Sequence, residues 1–254
     1  MVALITGGSS GMGLEFSRAL AARGCDLVLV SNREDELEAA AEALSKEFPV
    51  QVRTRFQDLA RQEAAEELFG WCSSEGISPD VLVNDAGMFF FKELQVSDLD
   101  RVQAMIDLHV TTVTRLCILF GAQMKERKSG YILNVSSMTA RIPAPGISVY
   151  SSTKAYLLTF GRSYAFELEP YGVRMTTVCP AAIATPLYRF NPKWMRLGVR
   201  IGLIRTPQWL VKRALKALFR GRRVISPAFM NVWLPPLIRA LPAGLESRIW
   251  RKVK

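Results

Sequence analysis

The sequence predicts an α/β fold with a doubly wound parallel sheet, and three observations carry that expectation. Short apolar runs rich in β-branched residues alternate with segments of helical period as far as about residue 180. A glycine-rich turn joins the first run to the first helical segment. The composition, 49% hydrophobic and 22% charged over 254 residues, is that of a globular chain able to bury a large core.

The elements follow in order. VALIT (2–6) is the first strand, and after TGGSSGMG, Thr6 to Gly13, a helical pattern runs near 12–23. DLVLVS (26–31) pairs with a helix over 34–47, VQVRTRF (50–56) with one over 61–74, and DVLVN (80–84) with a long one over 98–127. YILNVS (131–136) precedes a helix over 151–169, RMTTVC (174–179) is the sixth strand, and VIS at 224–226 is a short seventh. In the long helix Leu99, Val102, Ile106, His109, Val113, Leu116 and Phe120 recur at spacings of three and four, which predicts one buried stripe. Beyond Pro180 the pattern predicts a loop rich in Pro, Trp and Arg, an amphipathic helix over 208–219 and a basic tail. With no repeat and no linker, residues 1–254 are expected to form one domain with 186–254 as a C-terminal elaboration.

Composition excludes several classes. Cys25, Cys72, Cys117 and Cys179 are scattered without a CxxC pair, and a single histidine cannot complete a zinc cluster, so no metal and a reducing compartment are expected. The N-terminus enters a strand without a signal-peptide pattern, and FMNVWLPPLI (229–238) is too short and proline-interrupted to span a bilayer, which predicts a cytoplasmic chain. The net charge of +10 is uneven: residues 188–254 hold sixteen Lys or Arg against the single acid Glu246, a local charge of +15 that leaves −5 for the remainder. That split suits an anionic partner, but no base-stacking or groove-reading pattern is present, so nucleic acid is not expected.

The chemistry starts at the glycine turn. Placed between a strand and a helix, it lets the backbone approach a phosphate at the positive end of that helix, which is the signal for a dinucleotide. The second strand ends in Ser31, Asn32 and Arg33, with no acid to meet a ribose 2′-hydroxyl and with a guanidinium able to meet a 2′-phosphate, so NADP(H) is favoured over NAD(H). In YSSTK (150–154), residues four apart share one helix face, so Lys154 can lie beside Tyr150 and favour its phenolate.

These motifs, with NDAG at 84–87 and NVSS at 134–137, resemble those of the short-chain dehydrogenase/reductase family over roughly residues 2–186. The lipid-ketone reductases of 3-oxoacyl, 3-ketosphingoid or hydroxysteroid type are the members of closest character. The resemblance implies a Rossmann-like fold and assigns the cofactor to Gly7, Ser9, Ser10, Gly11, Met12 and Gly13 at the turn, with Ser31, Asn32 and Arg33 beside them. It adds Asp58 at the adenine, then Asn84, Ala86 and Gly87, and Pro180, Ile183 and Thr185 at the nicotinamide. It makes Tyr150 the proton donor in ketone reduction and Lys154 its partner, which also holds the nicotinamide ribose. Ser137, 13 residues before Tyr150, binds the substrate oxygen.

Two positions depart from the family pattern. His109 replaces an asparagine that holds a relay water, so it either holds that water with a ring nitrogen or fills the space; a role beside the catalytic site is the expectation. Ala181-Ala182 replaces the glycine after Pro180, and a methyl there is expected to crowd the nicotinamide. The alternative to an efficient reductase is an NADP(H)-binding redox sensor or scaffold with little turnover.

By the same resemblance, 186–254 is the substrate lid. Leu187, Tyr188, Phe190, Trp194, Met195, Leu197, Ile201 and Leu203 lie among Arg189, Lys193, Arg196, Arg200 and Arg205, which suits a hydrophobic small-molecule or acyl substrate with an anionic group. WLVKRALKALFRGRR (209–223) and the tail tryptophans Trp233 and Trp250 point to an anionic membrane surface or an acidic carrier, with packing on the sheet as the competing reading. A homo-oligomer is implied by the resemblance.

Overall fold

The computed structural model describes residues 1–142, 145–185, 192–201 and 203–227, with positions 236, 237, 244 and 251. Seven parallel strands form one sheet in the order β3-β2-β1-β4-β5-β6-β7. They are β1 (Val2–Thr6), β2 (Asp26–Ser31), β3 (Val52–Phe56), β4 (Val81–Asn84), β5 (Gly130–Val135), β6 (Val173–Val178) and β7 (Val224–Ile225). The register runs Thr6 to Val30 on one side of β1 and Thr6 to Asn84 on the other, so β1 and β4 end level. The strand order reverses between them, and a crevice opens beyond their carboxyl ends.

Helices cover both faces, as the buried strands β1, β2, β4, β5 and β6 require. On one face α1 (Gly11–Ala21), α2 (Glu34–Glu47) and α8 (Pro207–Phe219) enclose Phe16, Leu20, Leu37, Leu44, Leu210 and Leu215. On the other, α3 (Ala64–Ser74), α5 (Thr112–Glu126) and α6 (Ser148–Leu168) enclose Leu68, Leu116, Phe120, Leu157 and Leu168.

The long helix is not continuous. α4 (Leu99–Ile106) passes through a π turn at Asp107–Thr111 into α5, and the Thr112 N–H bonds Asp107 O, one residue farther back than in an α-helix. The wider turn shifts the helix phase. After it, Val113, Leu116 and Phe120 are buried as predicted; before it the inward places fall to Asp98 and Met105, and Leu99 is 63% exposed. The stretch Val96–Glu126 is long and apolar enough to cross a bilayer, and half of its apolar window is buried in the protein.

A second difference is α7 (Pro192–Arg200), where a loop is expected from sequence. Proline is tolerated in a first helical turn, and Lys, Met, Arg and Leu are good helix formers, so its Pro and Arg content does not prevent a helix. Thr206 caps α8, its side chain accepting from Trp209 N, with Pro207 in the first turn. Its Leu face packs against α1 and the sheet, and Lys212, Arg213 and Lys216 face out.

Candidate active site

The crevice at the switch point holds a cavity of about 770 Å³. Its floor is the turn after β1. Gly7 has φ +70° and a Cβ there would stand 3.0 Å from Ala86 N; a Cβ on Gly13 would stand 2.0 Å from Gly7 O. The turn therefore closes against itself and against the exit of β4. Thr6 fastens that junction, its hydroxyl accepting from Asp85 N and Ala86 N, both at 3.1 Å. Ser9, Ser10, Gly11 and Met12 line the cavity at the start of α1, whereas Gly13 lies beneath it.

At the end of β2, Ser31 Oγ bonds Ser9 Oγ at 2.9 Å and accepts from Arg33 N. Asn32 and Arg33 line the wall, and the exposed Arg33 guanidinium meets Glu36 at 2.8 Å. Asp58 is also on the wall, accepting from Ala60 N at 3.0 Å. Asn84 is not: its amide donates to Asn134 Oδ1 at 2.8 Å and lies between β4 and β5 behind the site. Ala86 and Gly87 are on the wall, as are Pro180, Ile183 and Thr185. Thr185 Oγ1 is buried with no hydrogen-bond partner. Ala181 is buried but off the wall, so its methyl does not face the cavity as expected. An isolated bridge from Ile183 to Arg205 holds this strand-like segment in place.

The first turn of α6 presents Tyr150, 5% exposed and on the cavity wall, and one turn on, Lys154. Phe89 packs edge-on against the phenol ring at 5.1 Å. Lys154 Nζ lies 5.7 Å from the centre of that ring and donates to Val135 O at 2.9 Å. Burial lowers its pKa to about 8, with Asp85 acting in the opposite direction. Ser136 Oγ donates to Lys154 O, which ties β5 to α6. Ser136 lines the cavity, whereas the expected Ser137 is buried and not on its wall. Ser137 caps the turn that follows, its Oγ accepting from Thr139 N and Thr139 Oγ1. Both bonds use its lone pairs and leave its O–H to donate.

His109, fully buried in the π turn, also reaches the cavity. Its Nε2 accepts from Met88 N at 3.0 Å, so the proton sits on Nδ1, which donates to Thr153 Oγ1 at 3.0 Å; Thr153 in turn donates to Tyr150 O. Burial, and secondarily the Lys154 ammonium, hold its pKa well below 6.5. Both nitrogens are spent on protein partners, which favours the space-filling and positioning reading over the water-holding one.

Three features escape sequence reasoning. Met88, Phe89, Phe90 and Phe91 form an apolar wall after β4, with Arg101 over the Phe90 ring at 4.5 Å; the run of phenylalanines was the available signal. Thr153 joins His109 to Tyr150, which only the three-dimensional path of the π turn reveals. Asp85 is the third, and its signal is its place in NDAG, where the family pattern has asparagine.

The arrangement fits a dinucleotide: a glycine cradle a Cβ would fill, and buried oxygens on Thr185 and Asp85 that lack partners. The comparisons agree. A family model for short chain dehydrogenases matches residues 1–196. A very-long-chain 3-oxoacyl-CoA reductase of Bos taurus is 31% identical over 99% of this chain and 77% of its own length. The 17-beta-hydroxysteroid dehydrogenase type 3 of Mus musculus is 30% identical over 86% of this chain and 69% of its own. Among solved structures, a short-chain dehydrogenase from Sphingobium yanoikuyae in complex with NADPH is 28% identical, covers 95% of this chain and 96% of its own, and superposes with a TM-score of 0.78. Sheet, cradle and Tyr-Lys helix thus converge with these similarities on one conclusion: the chain belongs to the short-chain dehydrogenase family and is an NAD(P)-dependent oxidoreductase.

Proposed function

We propose that the protein reduces a hydrophobic, lipid-like ketone to a secondary alcohol with NADPH, or runs the reverse oxidation. The observation that carries this reading is the buried Tyr150 phenol, backed by Lys154 and facing an apolar wall of Met88 to Phe91 in one cavity with the glycine cradle. The nicotinamide cofactor supplies the hydride when bound. Tyr150 gives its proton to the carbonyl oxygen, and Ser137 donates its free O–H to the same oxygen as negative charge develops there. Lys154, cationic below about pH 8, favours the phenolate that remains. His109 acts through Thr153 and so positions Tyr150.

Arg33 supports NADPH over NADH. Its bond to Glu36 is an exposed pair, worth at most about 1 kcal/mol, and a 2′-phosphate competes for it readily. Long-acyl and steroid substrates are supported by the names of the relatives and by the exposed Leu197, Ile201 and Leu203 in the described part of the lid. Leu187, Tyr188, Arg189 and Phe190, the side chains of Lys193, Trp194 and Met195, and Trp233 and Trp250 lie outside the described residues. We take 1–254 as one catalytic unit with 186–254 as lid and basic extension, which assembles as a homo-oligomer and meets an anionic membrane surface peripherally from the cytoplasmic side.

The test is NADPH oxidation with a 3-oxoacyl-CoA, a 3-ketosphingoid base and an oxosteroid, with Tyr150→Phe as control. Turnover that falls at least about a hundredfold in the variant supports the reductase. NADPH binding without turnover on any of the three favours the sensor or scaffold alternative.

A further inference from the structure

Asp85 is a titratable group in the cavity wall that the proposed reaction does not use. It leaves β4 at the switch point, and its backbone N–H is fixed on Thr6 Oγ1. Its carboxyl takes the Gly13 backbone N–H on one oxygen, while Oδ1 is buried and accepts no hydrogen bond. The side chain therefore sits inside the turn that cradles a phosphate, and it occupies one amide of that turn. A buried carboxylate with one oxygen unpaired is costly in its charged form.

The other groups around the cavity do little to offset this. Lys154 on α6 is the cation that acts on Asp85, but its ammonium bonds Val135 O and the two form no salt bridge. His109 on the π turn is neutral, because burial holds its pKa well below 6.5. Burial accordingly raises the Asp85 pKa to about 7, against the opposing effects of Lys154 and the Gly13 amide. A dinucleotide bound at this turn brings its pyrophosphate to the N-terminus of α1, and neighbouring negative charges disfavour a carboxylate further.

We propose that Asp85 is a proton-carrying residue of the dinucleotide site, which meets the bound pyrophosphate as the neutral acid, so that binding takes up one proton from solvent. The inference rests on the dinucleotide-binding reading above. Its balance is one carboxylate plus one solvent proton giving one carboxyl, with no bond of the dinucleotide changed. Protonation gives the unpaired Oδ1 a hydrogen to donate and removes a like charge from the cradle.

The experiment is calorimetric titration of the full chain with NADPH and with NADH between about pH 6.5 and 8.5, in buffers of different ionisation enthalpy. NADH lacks the 2′-phosphate, whose own titration is thereby separated. For both ligands the Kd rises with pH above about 7, approaching tenfold per unit, and the uptake approaches one proton. In Asp85→Asn, and in Asp85→Ser as a second neutral variant, the slope flattens and binding at pH 8 is about tenfold tighter than in the parent. Binding without proton uptake in the parent, or an undiminished slope in a folded variant, overturns the assignment while leaving the cofactor reading intact. Failure to bind either dinucleotide at any pH overturns that reading and this inference with it.

Discussion

His109 is held from both sides, by Met88 N–H and by Thr153, so it couples the apolar wall to the helix that carries Tyr150. Replacing it with Leu leaves the part-buried Met88 N–H without its acceptor, at about 1–3 kcal/mol, and takes from Thr153 the donor that links it to the ring, while Thr153 keeps its own bond to Tyr150 O. Asn restores an acceptor and a donor on a shorter side chain. His109→Leu is therefore expected to lower kcat about tenfold or more, and His109→Asn less; equal kcat in both would remove the positioning role. The ring also leaves a mark on stability. Because its folded pKa lies well below 6.5, the unfolded chain takes up a proton that the folded chain refuses, so stability is full above 6.5 and declines as pH falls below it. This contribution is at most about 1.4 kcal/mol per pH unit and is opposed over part of the same range by Asp85, whose raised pKa of about 7 gives a slope of opposite sign. It is therefore read as the difference between the parent and the Asn variant in thermal unfolding between about pH 5 and 8. At this scale the sequence is informative about motif residues, since Tyr150, Lys154, Arg33 and Thr185 all reach one cavity. It is less so about direction: Asn84 lies in the right motif, yet its amide is spent on Asn134, and nothing in the local pattern distinguishes an inward side chain from one facing the cavity.

The elements were legible wherever hydrophobic period and turn chemistry agree. All seven strands fall within two residues of the predicted bounds. β1, β2, β4, β5 and β6 are buried on both faces and so are largely continuous apolar runs, whereas the edge strand β3 (VRTRF) is exposed and was legible from its alternation and β-branched residues. Two features resisted. The π turn inserts one residue into an otherwise regular period, so the stripe assigned from spacing is right after His109 and one residue out of phase before it. α7 carries the Pro and Arg content of a loop. The turn from β1 to α1 is the element whose geometry is most restrictive. A Cβ on Gly13 meets backbone oxygen at 2.0 Å, where no side-chain rotation relieves the contact. Gly13→Ala is thus expected to shift the turn, raise the NADPH Kd at least about tenfold and destabilise the fold by about 1–3 kcal/mol. Equilibrium binding and a melting curve on one sample measure both; unchanged affinity would show that the cradle is not the phosphate site.

For the molecule as a whole, the question is how a charge of +10 is deployed. From sequence, the helix at 209–223 admits two uses for its leucines, a membrane or the core. The fold decides between them: Leu210, Val211, Leu215 and Leu218 are buried against the sheet, while Lys212, Arg213, Lys216, Arg220 and Arg222 are exposed. Among the described residues, none of these five cations is in a salt bridge. Any attachment through this face is therefore electrostatic rather than insertion of the helix, with about 1 kcal/mol per basic residue close to an anionic leaflet. Shrinking the Debye length from about 10 Å at 0.1 M salt to about 3 Å at 1 M removes most of that attraction. Co-sedimentation with phosphatidylserine vesicles is expected at low salt, with at least about tenfold loss at 1 M salt and none with phosphatidylcholine alone. The triple substitution Lys212→Glu, Arg213→Glu, Lys216→Glu should abolish it without touching the cavity. Binding that survives both salt and the triple substitution would move the contact from this face to the apolar residues beyond Pro227, and the membrane-facing role of α8 would be withdrawn.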